Sequence, residues 1–334
     1  MSESERSLDY VRNAIESLPQ VLAEVCETPS PAVASPPETV ITTGIGASEG
    51  AARLMASVLL ERGVCARFCP LSRFVNDPPS ADLLVAFSQG LSPNAQLVLA
   101  GAADFRTRWL VTSVEASETR ADKRAAREAF LARGFVPICI PPRSERGTLV
   151  RLVGPTAAAL LGLRLAAALL HDDALQRRLA EAPRAYHACA HAHGPLPTPE
   201  RTALLAVDLP VEQLHAHRWK LLEALLGCDP PCWDVLQFAH GPLQATHDHR
   251  WTFLALTRGP DALLPRLEQT LRPGRHTLLR LCAKAHDVLG FFEHAAQIDQ
   301  IVLASLEAHP RDLFSWPAQD SDRPLYGLGA KEVP

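Results

Sequence analysis

Apolar positions along this chain follow two rhythms. From residue 8 to 26 they recur at helical spacing: Leu8, Val11, Ile15, Leu18, Leu22 and Val25 form one stripe. One amphipathic helix is predicted there, kinked or split at Pro19. Residues 27–38 are rich in Pro, Ser and Ala and predict a linker. Short apolar runs then alternate with longer helical ones. Val40–Ile45, Cys65–Phe68, Leu83–Phe87, Trp109–Thr112 and Phe135–Ile140 predict buried strands. Helices are predicted at 51–62 and, strongly charged, near 118–133. The run from Leu152 to Leu170 is the most apolar, but Arg164 interrupts it and Gly154-Pro155 sits near its start. It predicts a buried helix, being too short and broken for a bilayer span.

Residues 174–202 predict a helix end and a Pro-rich connector. A second unit follows, with strands at Ala203–Val207, Trp233–Phe238, Trp251–Leu256 and Thr277–Leu281. Helices are predicted at 211–226 and 260–271, and a long one, capped by Asp287, runs to Leu306. Alternating strands and helices predict an α/β fold: two doubly wound, flavodoxin-like αβα units of three layers with mostly parallel sheets. The expected division is an N-terminal helical segment (1–37), a first domain (38–173), a linker (174–202), a second domain (203–314) and a tail (315–334).

Composition narrows the function. The chain has 334 residues, 47% of them apolar, enough for a substantial core. A net charge of −4 without a Lys/Arg block speaks against nucleic acid or an anionic membrane as partner. The eight cysteines are scattered, and Met1–Arg6 is too polar for a signal peptide, so free thiols in a reducing cytoplasm are expected. Cys65-x3-Cys69 and Cys228-x3-Cys232 lack paired zinc spacing. His187, Cys189, His191 and His193 fall at alternate positions suited to an exposed edge strand or loop, and no second cluster of comparable strength lies adjacent. No metal and no cofactor are expected.

Candidate chemistry lies in three places. Gly44, Gly46, Ala47, Ser48 and Gly50 form a glycine-rich turn between a strand and a helix, an arrangement suited to anions. It lacks the P-loop lysine and the full dinucleotide fingerprint, and its glycines also suit tight strand–helix packing. Ser88, Gln89, Gly90 and Ser92 form a second hydroxyl-rich loop, with Ser92 as N-cap and Pro93 as first residue of another helix. At the carboxyl ends of neighbouring parallel strands the two loops would converge on one ligand. Lys220 and Glu223 share a helix face at i and i+3, which keeps the carboxylate ionised and able to act as a base. His240-Gly241-Pro242 follows.

In this order and spacing the motifs resemble the sugar isomerase (SIS) family in its two-domain form, as in the isomerase half of glucosamine-6-phosphate synthase. Ile15 and Pro19 match the family's Glu-Ile-x-x-Gln-Pro segment. Gly44–Ser48 resembles the first sugar-phosphate loop, and Ser88–Pro93 the Ser-x-Ser-Gly-x-Thr-Pro phosphate loop. Lys220-x-x-Glu223 and His240-Gly241-Pro242 resemble the catalytic helix and the His-Gly-Pro loop. Asp320–Pro324 and Ala330-Lys331 resemble the Asp-x-Asp-x-Pro…Ala-Lys ending. The chain departs from the pattern by losing the second loop serine and by carrying Val207-Asp208-Leu209 in place of a Gly-rich turn. No glutaminase segment precedes the match, so glutamine-fed amination is not expected of this chain.

The resemblance implies an aldose–ketose isomerase acting on a sugar phosphate or close analogue through an enediol. Glu223 would shuttle the proton, and His240, lent across a homodimer interface, would assist ring opening. Lys331 would form a Schiff base or pair with developing charge, and the tail would close the site. Lys220 would hold or tune Glu223. Gly46, Ala47, Ser48, Ser88, Gln89, Gly90 and Ser92 would bind the phosphate or sugar. Deamination of an amino-sugar phosphate, cleavage of a sugar–amine conjugate, and non-catalytic sugar-phosphate binding are the alternatives.

Overall fold

The fold was analysed in a computed structural model. It describes residues 3–33, 35–141, 145, 147–190, 193–197, 201–225, 229–259, 261–271, 274–319, 321 and 323–326. The chain begins with helix α1 (Glu3–Cys26), followed by β1 (Thr39–Gly44), α2 (Ser48–Glu61), β2 (Cys65–Phe68), a one-turn α3 (Arg73–Asn76) and β3 (Ala81–Phe87). Two 3₁₀ turns (Asn94–Leu99 and Ala102–Asp104) lead to β4 (Phe105–Thr112), α4 (Ala121–Ala132), β5 (Val136–Cys139) and α5 (Val153–Leu169). Then come α6 (Asp173–Leu179), α7 (Ala182–Cys189), β6 (Thr202–Val207), α8 (Glu212–Leu225), β7 (Cys232–Asp234), α9 (Val235–Ala239) and α10 (Pro242–Ala245). The chain continues through β8 (Thr252–Arg258), α11 (Leu263–Thr270), β9 (Thr277–Ala283), α12 (Leu289–Ala308) and α13 (Arg323–Tyr326).

Two compact units result. One comprises residues 20–146, 153–180 and 315–334 and carries the first sheet; the other comprises 1–19, 147–152 and 181–314 and carries the second. The first sheet has the order β2-β1-β3-β4-β5, every pairing parallel. That is the doubly wound order in which the strand sequence reverses between β1 and β3. Side chains alternate across it. Ile41, Leu84, Ala86 and Leu110 pack with Phe74, Val98, Phe105 and Phe130 on one face. On the other, Phe87 lies against Gly162 of α5, where a Cβ would stand 3.1 Å from the ring. The second sheet, β7-β6-β8-β9, is also parallel. Ala203, Leu205, Val207, Phe253 and Ala255 share one face with Phe238, Leu264 and Leu267. Helices flank both sheets, as the α/β reading requires.

The apolar run at 152–170 forms α5, buried on all sides; its Arg164 donates to the Thr28 carbonyl at 3.3 Å. Among the described residues no helix is long and apolar enough to cross a membrane. Asp287 caps α12, its carboxylate accepting from the Leu289 amide at 3.0 Å.

Four local expectations need correction. Helix α1 is not split at Pro19 but runs through it as one helix. The strand expected at Trp233–Phe238 is confined to Cys232–Asp234: Asp234 accepts the Leu236 and Gln237 amides at 2.8 and 3.1 Å, so three strand residues turn directly into α9. Pro93 opens a six-residue 3₁₀ run rather than an α-helix, with the Ala95 amide donating to Ser92 Oγ at 3.3 Å. His187 and Cys189 lie in α7, not in a strand or loop, and Cys189 is buried; His191 lies outside the described residues.

Leu160 of α5 is fully buried. Leu160→Ala should therefore lower the unfolding free energy by about 2–5 kcal/mol, the range for a buried leucine that leaves a cavity. Urea unfolding followed by circular dichroism would measure this.

Candidate functional site

The first-sheet unit brings the two predicted loops together. β1 and β3 are neighbours in parallel register, Gly44 opposite Phe87, so both loops leave the same carboxyl edge of the sheet side by side. After β1 the chain turns at Gly46, whose φ of +59° suits glycine. Gly44 serves packing: a Cβ there would lie 2.7 Å from the Ser48 carbonyl oxygen at the start of α2. Ala47 and Ser48 are both largely buried.

The loop after β3 is pinned by its own backbone. The Ser88 amide continues the ladder to Val111 O at 2.9 Å. The Gln89 carbonyl accepts three hydrogen bonds, from Ser113 N at 3.0 Å, Thr112 Oγ1 at 3.0 Å and Ser113 Oγ at 2.9 Å. Leu91 takes a φ of +45°, uncommon for a branched side chain. Among the described residues, the amides of Gly90 and Ser92 donate to no acceptor in the chain, and the hydroxyls of Ser48 and Ser88 hold no hydrogen bond. The loop therefore keeps several donors uncommitted, which is what an anion needs.

Three contributors around these loops escaped the sequence reading. Glu145 is buried, and its carboxylate accepts from the Val153 and Gly154 amides at 2.8 and 2.7 Å, neutralising the start of α5. The Gln89 side-chain amide lies on Gly154, where a Cβ would stand 1.6 Å from its nitrogen. That nitrogen is buried and has no hydrogen-bond partner. Lys123 of α4 donates to the Leu91 carbonyl at 3.2 Å. A charged helix reads as solvent-facing from sequence, so the inward turn of Lys123 left no signal. Gly154-Pro155 was visible only as a helix start. The tail also reaches this region: Asn94, two residues past Ser92, donates from its side-chain nitrogen to the Leu325 carbonyl at 2.9 Å. Lys331, Asp320 and Asp322 lie outside the described residues.

At the opposite, amino-terminal end of the sheet an open cleft of about 430 Å³ is lined by Pro36, Pro37, Glu38, Asp82, Arg106 and Trp109 among others. Its polar groups satisfy one another. Asp82 accepts from Glu38 N, Thr39 N and Thr39 Oγ1, each at 3.1 Å, and pairs with Arg106 at 3.4 Å. It reads as a strand-end junction.

The second-sheet unit holds Lys220, Glu223 and His240. Lys220 was expected to hold or tune Glu223; its ammonium, buried, donates to both Asp299 oxygens at 2.7 and 2.8 Å. Tyr186 donates to Asp299 at 2.9 Å. Burial, and then the charge of Asp299, push the Tyr186 phenol well above its ordinary range, so it remains a donor. Glu223 is half-buried and accepts from the Arg151 amide at 3.2 Å. His240 is exposed at the end of α9, before Gly241 at φ +126° and Pro242 at the start of α10. Glu223 and His240 of one chain do not hydrogen-bond to each other. Two histidines sit beside the Lys220 network. His217 is fully buried, stacked on Phe291 at 5.0 Å, with no partner on either ring nitrogen. His294 donates from Nε2 to Thr257 O and Leu281 O at 3.1 and 3.0 Å. Burial, then the charge of Lys220, push His217 well below its usual range, and burial pushes His294 down to about 4. Among the described residues no group of three or more His, Cys, Asp or Glu is placed to hold a metal ion.

No protein-family model and no curated protein matches the sequence. Solved structures do. Glucosamine-6-phosphate deaminase from Thermotoga maritima superposes with a TM-score of 0.69 at 17% identity, covering 90% of this chain and 96% of that one. The fold is that of the sugar isomerase (SIS) proteins. The C-terminal domain of glucosamine-fructose-6-phosphate aminotransferase from Francisella tularensis gives 0.64 at 14% identity, with 89% and 94% coverage. Tagatose-6-phosphate ketose/aldose isomerase from Escherichia coli gives 0.64 at 14% identity, with 94% and 96% coverage. The SIS fold thus spans nearly the whole chain.

Two outcomes follow from the buried groups of the second-sheet unit. Lys220→Met should destabilise by about 3–5 kcal/mol by leaving Asp299 uncompensated, while Lys220→Met with Asp299→Leu should recover most of that loss; urea unfolding of both variants measures it. The unfolded chain protonates His294 below about pH 6.5, whereas the folded chain resists until about pH 4, so stability should fall as pH falls through that window. His294 alone should cost about 2 kcal/mol at pH 5 relative to pH 7.5. Comparing urea midpoints at the two pH values, His294→Gln should lose that part of the acid sensitivity.

Proposed function

We propose that the chain is an aldose–ketose isomerase acting on a sugar phosphate or a close analogue through an enediol. The observation that carries this reading is the pair of donor-rich loops on one strand edge, Gly46–Ser48 beside Ser88–Ser92, with unpartnered amides at Gly90 and Ser92. Such a cradle recognises a compact anion, and phosphate is the anion on the sugars for which the similar structures are named. The SIS fold, shared with proteins named for sugar-phosphate isomerisation and deamination, supports the same substrate class.

In this reading Glu223, as carboxylate, takes the proton from C2 of the open-chain aldose. The electron pair forms the C1–C2 double bond and leaves charge on O1, which takes up a proton to give the enediol. O2 then releases its proton as the ketose carbonyl forms, one proton passing in net from O2 to O1, while C1 takes back the proton held by Glu223. His240, exposed at its loop and lent by a second copy, moves the proton that opens the ring. Lys220 acts at one remove: tied to Asp299, it fixes α8 and so the position of Glu223. Lys331 meets the carbonyl or the developing charge, with the tail closing the site from its anchorage at Asn94. The working form is a cytoplasmic homodimer.

The second reading is removal of nitrogen from an amino-sugar phosphate or a sugar–amine conjugate. It is favoured by the likeness to the Thermotoga maritima deaminase and by the Ala330-Lys331 ending. Proton NMR in D2O separates the readings. With hexose, amino-hexose and pentose phosphates offered in turn, deuterium should enter C1 or C2 of one substrate, and Glu223→Gln should slow exchange by about 10²-fold or more. Release of ammonia or amine with that exchange would make the deaminase reading the right one. Saturable binding without any exchange would defeat both, leaving a non-catalytic binder.

A further inference from the structure

Lys123 sits on α4 with its side chain 18% exposed, its ammonium against the Leu91 carbonyl at 3.2 Å and 3.7 Å from the exposed Asp122 carboxylate. That carbonyl belongs to the peptide joining Leu91 to Ser92. In a trans peptide the C=O and N–H point in opposite directions. An ammonium fixed on the oxygen therefore fixes where the Ser92 N–H points, and the Ser92 amide is one of the two loop donors that no acceptor in the chain occupies. Leu91 itself takes a φ of +45°, uncommon for a residue with a side chain. A charged donor on the oxygen also polarises the amide, strengthening it as a donor.

We propose that Lys123 is a positioning residue for the loop: it orients and polarises the Ser92 amide toward the phosphate of the substrate. This rests on the reading of Ser88–Ser92 as an anion cradle. It also accounts for how the loop could hold phosphate with one hydroxyl fewer than the Ser-x-Ser-Gly-x-Thr pattern. The missing side-chain donor is replaced by a backbone donor that a lysine from the next helix holds in place.

The test uses the full chain labelled with ¹⁵N-serine and ¹⁵N-glycine, titrated with inorganic phosphate. The Ser92 signal is assigned through Ser92→Thr. In the wild type the Gly90 and Ser92 amides should move downfield as phosphate binds. Lys123→Met should shift the Ser92 amide upfield before any phosphate is added and weaken phosphate about tenfold, the scale of a lost charge-assisted hydrogen bond. Lys123→Arg should stay within about threefold of wild type. Lys123→Gln, which keeps a neutral donor and serves if Met at this site fails to fold, should fall between them. A wild-type phosphate response that Lys123→Met and Lys123→Gln leave unchanged overturns the role of Lys123 alone. Absence of any wild-type response at Gly90 and Ser92 overturns the anion cradle, and this proposal with it.

Discussion

The pairing of β1 with β3 is the constraint on which the rest of the first-sheet unit depends. Chain order would place β2 beside β3; instead β1 stands between them, and the strand sequence reverses at that seam. Helices leaving the two strands then go to opposite faces of the sheet, so the edge above the seam stays open. Gly44 is opposite Phe87 there, and each strand delivers its loop to that edge. Everything chemical in this unit follows from the seam: the turn at Gly46, the pinned Gln89 carbonyl, the strained Leu91. None would serve a shared ligand if either strand moved one place along the sheet.

The second-sheet unit is governed by a buried charge. Lys220 and Asp299 are both removed from water, an arrangement that costs desolvation and holds only because the ammonium meets two oxygens and the carboxylate also receives Tyr186. The network ties α7, α8 and α12 to one another within this unit. Glu223, one turn further along α8, inherits a fixed position from it while remaining half-buried itself. A residue singled out by its spacing from a carboxylate can thus act through architecture, its own partner lying elsewhere.

What the sequence disclosed follows from the range of the forces involved. The buried strands and α5 were legible because burial on both faces leaves a continuous apolar run, which local pattern alone can register. The glycine-rich turn and the Ser88–Ser92 loop were legible because their donors are neighbours in sequence. The turn of Trp233–Phe238 into α9 was missed because one capping carboxylate outweighed a run of strand-forming residues. The partner of Lys220 was missed because Asp299 lies 79 residues away, and sequence proximity made Glu223 the obvious choice. Lys123 was missed for a related reason: its partner is a backbone carbonyl 32 residues earlier, and a carbonyl leaves no mark in a sequence.

Gly154 and Gln89 are coupled in space. The side-chain amide of one fills the space that any side chain on the other would occupy. A larger residue at the start of α5 would require the glutamine side chain, whose nitrogen holds no hydrogen bond, to swing away, and a shorter residue in place of the glutamine would open space over amides already committed to Glu145. A change at one position is therefore felt at the other. The side chain that Gly154 leaves room for is thus part of what shapes the floor beside the candidate ligand loop.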